Sequence, residues 1–232
     1  MKLSSVSFSW PDGPRIAADF SLSIAPGSIT VLVGASGCGK STILRLLAGL
    51  LTPDAGRVTA PLSSRAFVFQ SPNLLPWLSA LDNVALPLKL SGLDVTSRRE
   101  QAHEALGRVG LADAASSLPS ALSGGMRMRV SLARALVTQP ALLLMDEPFS
   151  SLDALTRRQM HTEFLSLTES LSTTVVMVTH DLEEAVLLGD RVVVLAGQPV
   201  TIAQDTAPTT PRPRDRHAPE VVAMVSALEG AL

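Results

Sequence analysis

The chain has 232 residues, 46% of them hydrophobic, a formal charge of −2 and a single cysteine, Cys38. That length and apolar content suffice for one domain, residues 1–232, with a well-buried core. The near-neutral charge argues against a nucleic-acid partner, which calls for a basic face. A lone cysteine excludes an intrachain disulfide and a cysteine-rich zinc site. No apolar run reaches the roughly 18 residues that span a bilayer, and "MKLSSVSFSW" lacks the long apolar centre of a signal peptide.

Residues 2–9 and 16–24 alternate apolar and polar around "PDGP", which predicts an antiparallel hairpin. The apolar run 29–33 predicts a strand, and "GASGCGKST" follows it and opens a helix over 40–50. The match to G-x-x-x-x-G-K-[ST] is complete and lies between a strand and a helix, as a P-loop does. Gly34, Gly37 and Gly39 let the backbone curl and turn its N–H groups inward. Ala35, Ser36, Cys38 and Thr42 complete the phosphate cradle of an ATP site, with Cys38 as a small space-filling residue. Lys40 reaches the β- and γ-phosphates, and the Ser41 hydroxyl can ligate Mg²⁺.

The run 66–69 predicts a second strand of the same kind, ending at Gln70. On spacing alone Gln70 is either a contact to Mg²⁺ or water, or one polar residue at a strand end. From about 75 to 123 the alternation breaks. Proline-punctuated apolar pieces and one charged helix, about 96–109, predict an inserted α-helical subdomain. It ends at "LSGGMRMRV". Ser123 reads as a helix N-cap followed by the bare amides of Gly124 and Gly125. An ordinary capped helix explains the serine. It leaves two glycines that cost about 1 kcal/mol each inside a helix, which close approach of a ligand would explain. Arg127, Arg129 and Arg134 fall on the polar side of this helix. Because the P-loop already surrounds most of a triphosphate, a second set of amides is useful on the nucleotide's open side. A two-fold partner can supply it there.

"ALLLMDEPFSSLD" is a third strand, 141–145, ending in Asp146 and Glu147. Side chains alternate along a strand, so the two acids take different roles. Asp146 suits the Mg²⁺ shell and Glu147 the attacking water. Pro148 stops regular pairing. A helix over 154–171 precedes a strand at 174–178, which leads to His180 and to Asp181, a possible N-cap for a helix over 182–188. His180 is either structural or a contact to the γ-phosphate or water. A strand follows at 191–195. The tail, about 205–232, opens with the Pro- and Arg-rich "DTAPTTPRPRDRHAPE" and ends in a short helix, 221–228. Strands alternating with helices predict an α/β fold: a P-loop NTPase core with a mostly parallel sheet, an N-terminal antiparallel β subdomain and the helical insertion.

"GASGCGKST", "LSGGM", "LLLMDEP", "SSLD" and "VTHD", in this order and spacing, resemble the ATP-binding subunits of ABC transporters over nearly the whole chain. The resemblance implies ATP hydrolysis with catalytic Glu147, His180 and Lys40. It implies metal contacts from Ser41, Gln70 and Asp146, and Trp10 stacked on adenine, where a half-buried hairpin aromatic is the alternative. It implies a second copy of the chain supplying Ser123, Gly124, Gly125 and Asp153 in trans. The signature loop commonly ends in glutamine; here Met126, a weak acceptor, stands instead. "LSGGM", "QSPNLLPWLSALDNVALPL" and "PRPRDRHAPE" look like the importer branch for nitrate, aliphatic sulfonates, taurine and thiamine pyrimidine precursors. That implies a chain peripheral on the cytoplasmic face of the membrane. Permease subunits would be met through Leu74, Leu75, Trp77 and Leu78, and a solute-binding protein indirectly. The alternatives are another ABC importer or exporter branch, a soluble ABC-type ATPase acting on DNA or ribosomes, which needs a coiled coil, zinc cysteines or a second cassette, and a small-molecule P-loop kinase.

Overall fold

The computed structural model describes residues 1–61 and 64–231; the last residue of the expected 205–232 tail lies outside them. The chain opens with two antiparallel strands, β1 (Lys2–Ser9) and β2 (Arg15–Ser23). Strand β3 (Ile29–Gly34) leads into helix α1 (Lys40–Leu47), and β4 (Ala55–Thr59) returns to pair with β1. After β5 (Arg65–Val68) come α2 (Ala80–Leu90), α3 (Val95–Arg108), two short 3₁₀ turns and α4 (Gly124–Leu136). The remainder is β6 (Leu142–Asp146), α5 (Ala154–Leu171), β7 (Thr174–Val178), α6 (Leu182–Leu188), β8 (Arg191–Ala196), β9 (Thr201–Thr206) and α7 (Pro219–Glu229).

Two sheets result. The smaller has the order β2-β1-β4, and the larger has the order β5-β6-β7-β3-β8-β9. Within the larger sheet all pairs are parallel except β8 with β9. The expected α/β architecture holds: a mostly parallel core, an antiparallel β subdomain and helices inserted between β5 and β6.

The central strands are buried on both faces, and alternation sorts their side chains into two cores. Val31, Val33, Leu143, Met145, Val175, Met177, Val192 and Val194 point to the helices α2 to α7. Leu32, Leu142, Leu144, Val176, Val178, Val193 and Leu195 point to α1 and the β subdomain. Continuing that parity, Asp146 falls on the α1 side, where the phosphate loop lies.

Several elements differ from expectation. Helix α2 runs over a stretch with a proline inside it, Pro87. Burial of Ala80, Leu81, Val84, Ala85 and Leu88 on one face offsets the lost hydrogen bond. Strands β4 and β9 carry mostly exposed residues and lie at sheet edges, so they show no apolar run. Helix α1 stops at Leu47, three residues early, because Gly49 turns the chain with φ +63°. The tail begins after β9, at 207 rather than 205.

Candidate nucleotide site

The loop 34–39 joins β3 to α1. Gly39 is the N-cap of α1 with φ +109°, and a Cβ there would lie 2.6 Å from the Ile16 side chain. A Cβ on Gly34 would lie 2.2 Å from the Leu195 carbonyl oxygen. Both positions therefore exclude any side chain, which keeps the loop tight around its own amides. Cys38 is buried, and its sulfur lies 3.1 Å from where a Gly34 Cβ would stand, so it fills space beneath the loop. Lys40 is 6% exposed, and its ammonium donates to the Gly34 and Ala35 carbonyls at 2.7 and 2.9 Å. The cation is thus held within the loop it serves.

Two strands away, β6 ends in Asp146. The Ser41 hydroxyl donates to Asp146 Oδ1 at 2.8 Å, across 105 residues of sequence. One hydroxyl and one carboxylate side by side suit a small hard cation that keeps most of its ligands from substrate and water. Among the described residues no group of three or more His, Cys, Asp or Glu could hold a metal unaided.

Glu147 departs from the simple strand alternation. It adopts a left-handed backbone, φ +45°, and its N–H donates to the Val178 carbonyl at 2.9 Å. That turn aims its carboxylate at the end of β7, where Oε2 lies 3.1 Å from His180 Nδ1. Against an ionised carboxylate, Nδ1 is the donor of this pair. His180 is 63% exposed and Glu147 24%, so the pair stands at the surface, facing out of the sheet's carboxyl edge.

Gln70 lies just beyond β5, and its amide donates to Ser150 Oγ at 3.4 Å rather than to the Ser41–Asp146 pair. The Ser150 hydroxyl in turn donates to the Glu147 carbonyl at 2.9 Å. Ser150 was not singled out from the sequence; a polar residue three positions past the acidic pair was the available signal. Trp10 sits at the tip of the β1–β2 hairpin, half-buried and edge-on to Phe8 with ring centroids 5.2 Å apart.

Ser123 caps α4, its hydroxyl accepting from the Met126 N–H at 3.2 Å. The two glycines divide. A Cβ on Gly124 meets nothing within 4 Å, whereas one on Gly125 would lie 2.6 Å from the Thr156 methyl of α5. Gly125 therefore has a packing reason inside the chain, which the sequence did not reveal, and Gly124 alone faces open space. Asp153 caps α5 by accepting from the Leu155 and Thr156 N–H groups, each at 3.1 Å. Hydrogen bonds from Thr156, side chain first, hold its carboxyl below the usual carboxylate value. The signature loop and the start of α5 thus form one contiguous edge.

Arg134 of α4 donates to the Asn73 and Pro72 carbonyls at 2.9 and 2.8 Å, joining the signature helix to the segment after Gln70. Burial pushes its pKa down, yet a guanidinium stays charged. Arg127 turns back to the Leu122 carbonyl at 2.7 Å, and Arg129 pairs with Glu163 at 3.0 Å. Desolvation raises Glu163 above the ordinary value, with Arg129 opposing it.

Ligands of open parallel sheets bind at the carboxyl ends of strands. Here that edge carries a phosphate-cradling loop, the Ser41–Asp146 pair and the Glu147–His180 pair on β3, β6 and β7, which are neighbours. The class so defined is the P-loop nucleoside triphosphatases. Residues 17–150 match the family described as ABC transporter. An aliphatic sulfonates import ATP-binding protein, SsuB 1, of Xanthomonas axonopodis is 46% identical over 215 residues, covering 89% of this chain and 85% of that protein. The taurine import ATP-binding protein TauB of Chromobacterium violaceum is 44% identical, covering 88% and 81%. The dimeric post-hydrolysis structure of the ATP-binding cassette MJ0796, bound to ADP and Pi, superposes with a TM-score of 0.78 at 31% identity, covering 89% and 97%. The chain belongs to the ABC transporter family and is an ATP-hydrolysing subunit of that kind.

Proposed function

We propose that two copies of this chain clasp ATP and Mg²⁺ between them and drive a membrane permease that imports a small solute of the nitrate, sulfonate, taurine or pyrimidine type, with sulfonate and taurine favoured by the relatives. The carrying observation is the Glu147–His180 pair, 3.1 Å apart, on the same sheet edge as the phosphate loop. The residues that receive ATP are Gly34 to Thr42, with Trp10 against the adenine. Ser41 and Asp146 fit the Mg²⁺ that arrives with the nucleotide, and Gln70 reaches the same region through the Ser150 chain. Mg²⁺ supplies charge neutralisation at the phosphates.

This chain's own groups do the rest. Lys40 lies within the loop, where it offsets charge developing on the γ-phosphate. Glu147 accepts a hydrogen bond from the attacking water and orients it for in-line displacement. His180 holds the Glu147 carboxylate through Nδ1 and presents Nε2 to the reacting groups. The open face of the nucleotide is then covered by Ser123, Gly124, Gly125 and Asp153 of the second copy. Gly124's unobstructed surface and the shared edge of Ser123 and Asp153 support this reading.

Trp77 is 71% exposed and supports a permease contact at this point. Leu74 packs on the helical core and Leu75 and Leu78 are half-buried, so of the four expected docking residues Trp77 is the exposed one. Among the described residues no helix is long and apolar enough to cross a membrane, in keeping with a subunit held at the cytoplasmic face by its permease. The solute itself is chosen by the permease and its binding protein. Nitrate and pyrimidine precursors, the other solutes of the resembling branch, are distinguished by ligand binding to the receptor of the same transporter.

Glu147→Gln is the test. It should bind ATP with unchanged affinity, lose turnover by at least a hundredfold, and run as a dimer in ATP and Mg²⁺ by light scattering. A variant that hydrolyses ATP at the normal rate, or stays single at high concentration, overturns the proposal.

A further inference from the structure

The Pro- and Arg-rich connector ahead of α7 has no role in the site described so far, yet two of its arginines, Arg214 and Arg216, reach α6 and the third, Arg212, reaches Asp190 just beyond it. This helix is only seven residues long and begins directly after His180, with Asp181 as its N-cap. Two turns of helix are not stable alone, so what holds α6 decides where His180 stands.

Arg214 meets the helix's C-terminal end. Its Nη1 donates to the carbonyls of Val186, Leu187 and Gly189 at 2.8, 3.3 and 2.9 Å, and its Nε to the Thr210 carbonyl at 2.7 Å. The last carbonyls of a helix lack intrahelical partners, and a cation there complements the dipole. Helix α6 has no basic residue in its own last turn. Arg214, 25 residues away, supplies what the helix itself lacks. Arg216 pairs with Glu183 in the first turn. Arg212 pairs with Asp190 at 3.1 Å, and Asp190 also accepts from the N–H of Ile29 at 2.8 Å, the first residue of β3. The far end of β3 is the phosphate loop.

Helix α6 is also braced by α5, which shares a cavity with α6 and the connector. His161 Nε2 lies 2.8 Å from Glu184 Oε1, and Arg157 lies 3.6 Å from Asp181. Helix α6 is therefore held along its length by two segments, α5 and the connector, and the connector also ties its C-terminal end to the base of the strand that carries the phosphate loop.

We infer that Arg214, assisted by Arg212 and Arg216, is a positioning residue that sets His180 against Glu147 and so tunes the rate of ATP hydrolysis. This rests on the reading of His180 given above. Because Arg214 acts at the far end of α6 from the nucleotide, its loss changes turnover and leaves ATP affinity alone.

The test compares ATP Kd and kcat per folded molecule in the purified full chain. Arg214→Gln should lower kcat about tenfold, the scale at which small misplacements of a reacting geometry act, with ATP Kd within about twofold. Arg214→Lys, whose ammonium still reaches helix carbonyls, should recover more than half of the loss. If Arg214→Gln does not fold, Arg216→Gln decides, with an expected fall of about threefold. An unchanged kcat, or a Kd that weakens as much as kcat falls, overturns the inference. His180→Ala is measured beside them. If that variant turns over normally, the assignment of His180 fails and the role of Arg214 with it; if it is impaired while the arginine variants are normal, only the role of Arg214 fails.

Discussion

Met126 follows the two signature glycines, and its side chain packs partly buried against the helical core. A glutamine there would exchange core contact for one neutral hydrogen bond to a nucleotide, worth about 0.5–1.5 kcal/mol. Met126→Gln is therefore expected to change ATP turnover by less than about tenfold; a hundredfold fall in kcat would refute this. The thioether's turn into the core gives Met126 a packing role of its own. Glu147 illustrates the opposite relation. Alternation along β6 gives the two acids separate faces, but the left-handed turn that brings Glu147 to His180 is not written in a residue type that prefers φ above zero. It follows from the bond between the Glu147 N–H and the Val178 carbonyl, which exists only when β6 and β7 lie side by side. Gly125 is similar: its constraint is a methyl group of Thr156, 31 positions away in the chain.

Helix α2 and the segment before it make one unit, held by a residue that was not singled out from the sequence, Asn83. Asn83 is fully buried; its amide donates to the carbonyls of Leu75, Leu78 and Ser79 at 3.0–3.1 Å and its oxygen accepts from the Leu75 N–H at 2.8 Å. Those bonds fold 75–79 into the turn that presents Trp77 outward. Asn83→Ala leaves the Leu75 N–H and the Leu78 carbonyl without this partner and should cost about 2–4 kcal/mol in a urea melt. Trp77→Ala removes an exposed ring and should shift stability by no more than about 0.5 kcal/mol. It should nonetheless weaken co-purification with the permease. A large stability loss for Trp77→Ala would show that the ring packs the insertion instead. From sequence, Pro87 obscured α2, because its cost to a helix is legible and the tertiary burial that offsets it is not. Helix α4 was legible from its cap, but the reach of Arg134 to the Pro72 and Asn73 carbonyls was not.

At the scale of the molecule, the two sheets are joined beside β8. Arg191 pairs with Asp205 of β9 through two bonds, 2.7 and 2.5 Å, and its other nitrogen donates to the Ser23 carbonyl of β2. Val200 donates to the Ile16 carbonyl at 2.7 Å nearby. The hydrogen bonds from Arg191 hold the Asp205 carboxyl below its ordinary value of 3.8. A carboxyl lowered on folding stabilises above its unfolded pKa, and that contribution fades as pH falls through the folded one. Asp205→Asn should therefore cost up to about 1 kcal/mol at pH 7, the scale of an exposed ion pair. The gap from the parent chain should close as pH falls below 3.8; urea melts at pH 7 and pH 3 that show equal gaps would contradict it. By itself, the sequence determined the phosphate loop, the acidic strand end, the helix caps at Ser123 and Asp181, and the alternating buried strands. Each is a local pattern whose physics acts within a few residues. Tertiary structure alone decided the Ser41–Asp146 and Glu147–His180 pairings, the edge strands β4 and β9, and the arginine grip on α6. These depend on which strands and segments become neighbours, and that is set by packing across distances at which residue type carries no signal.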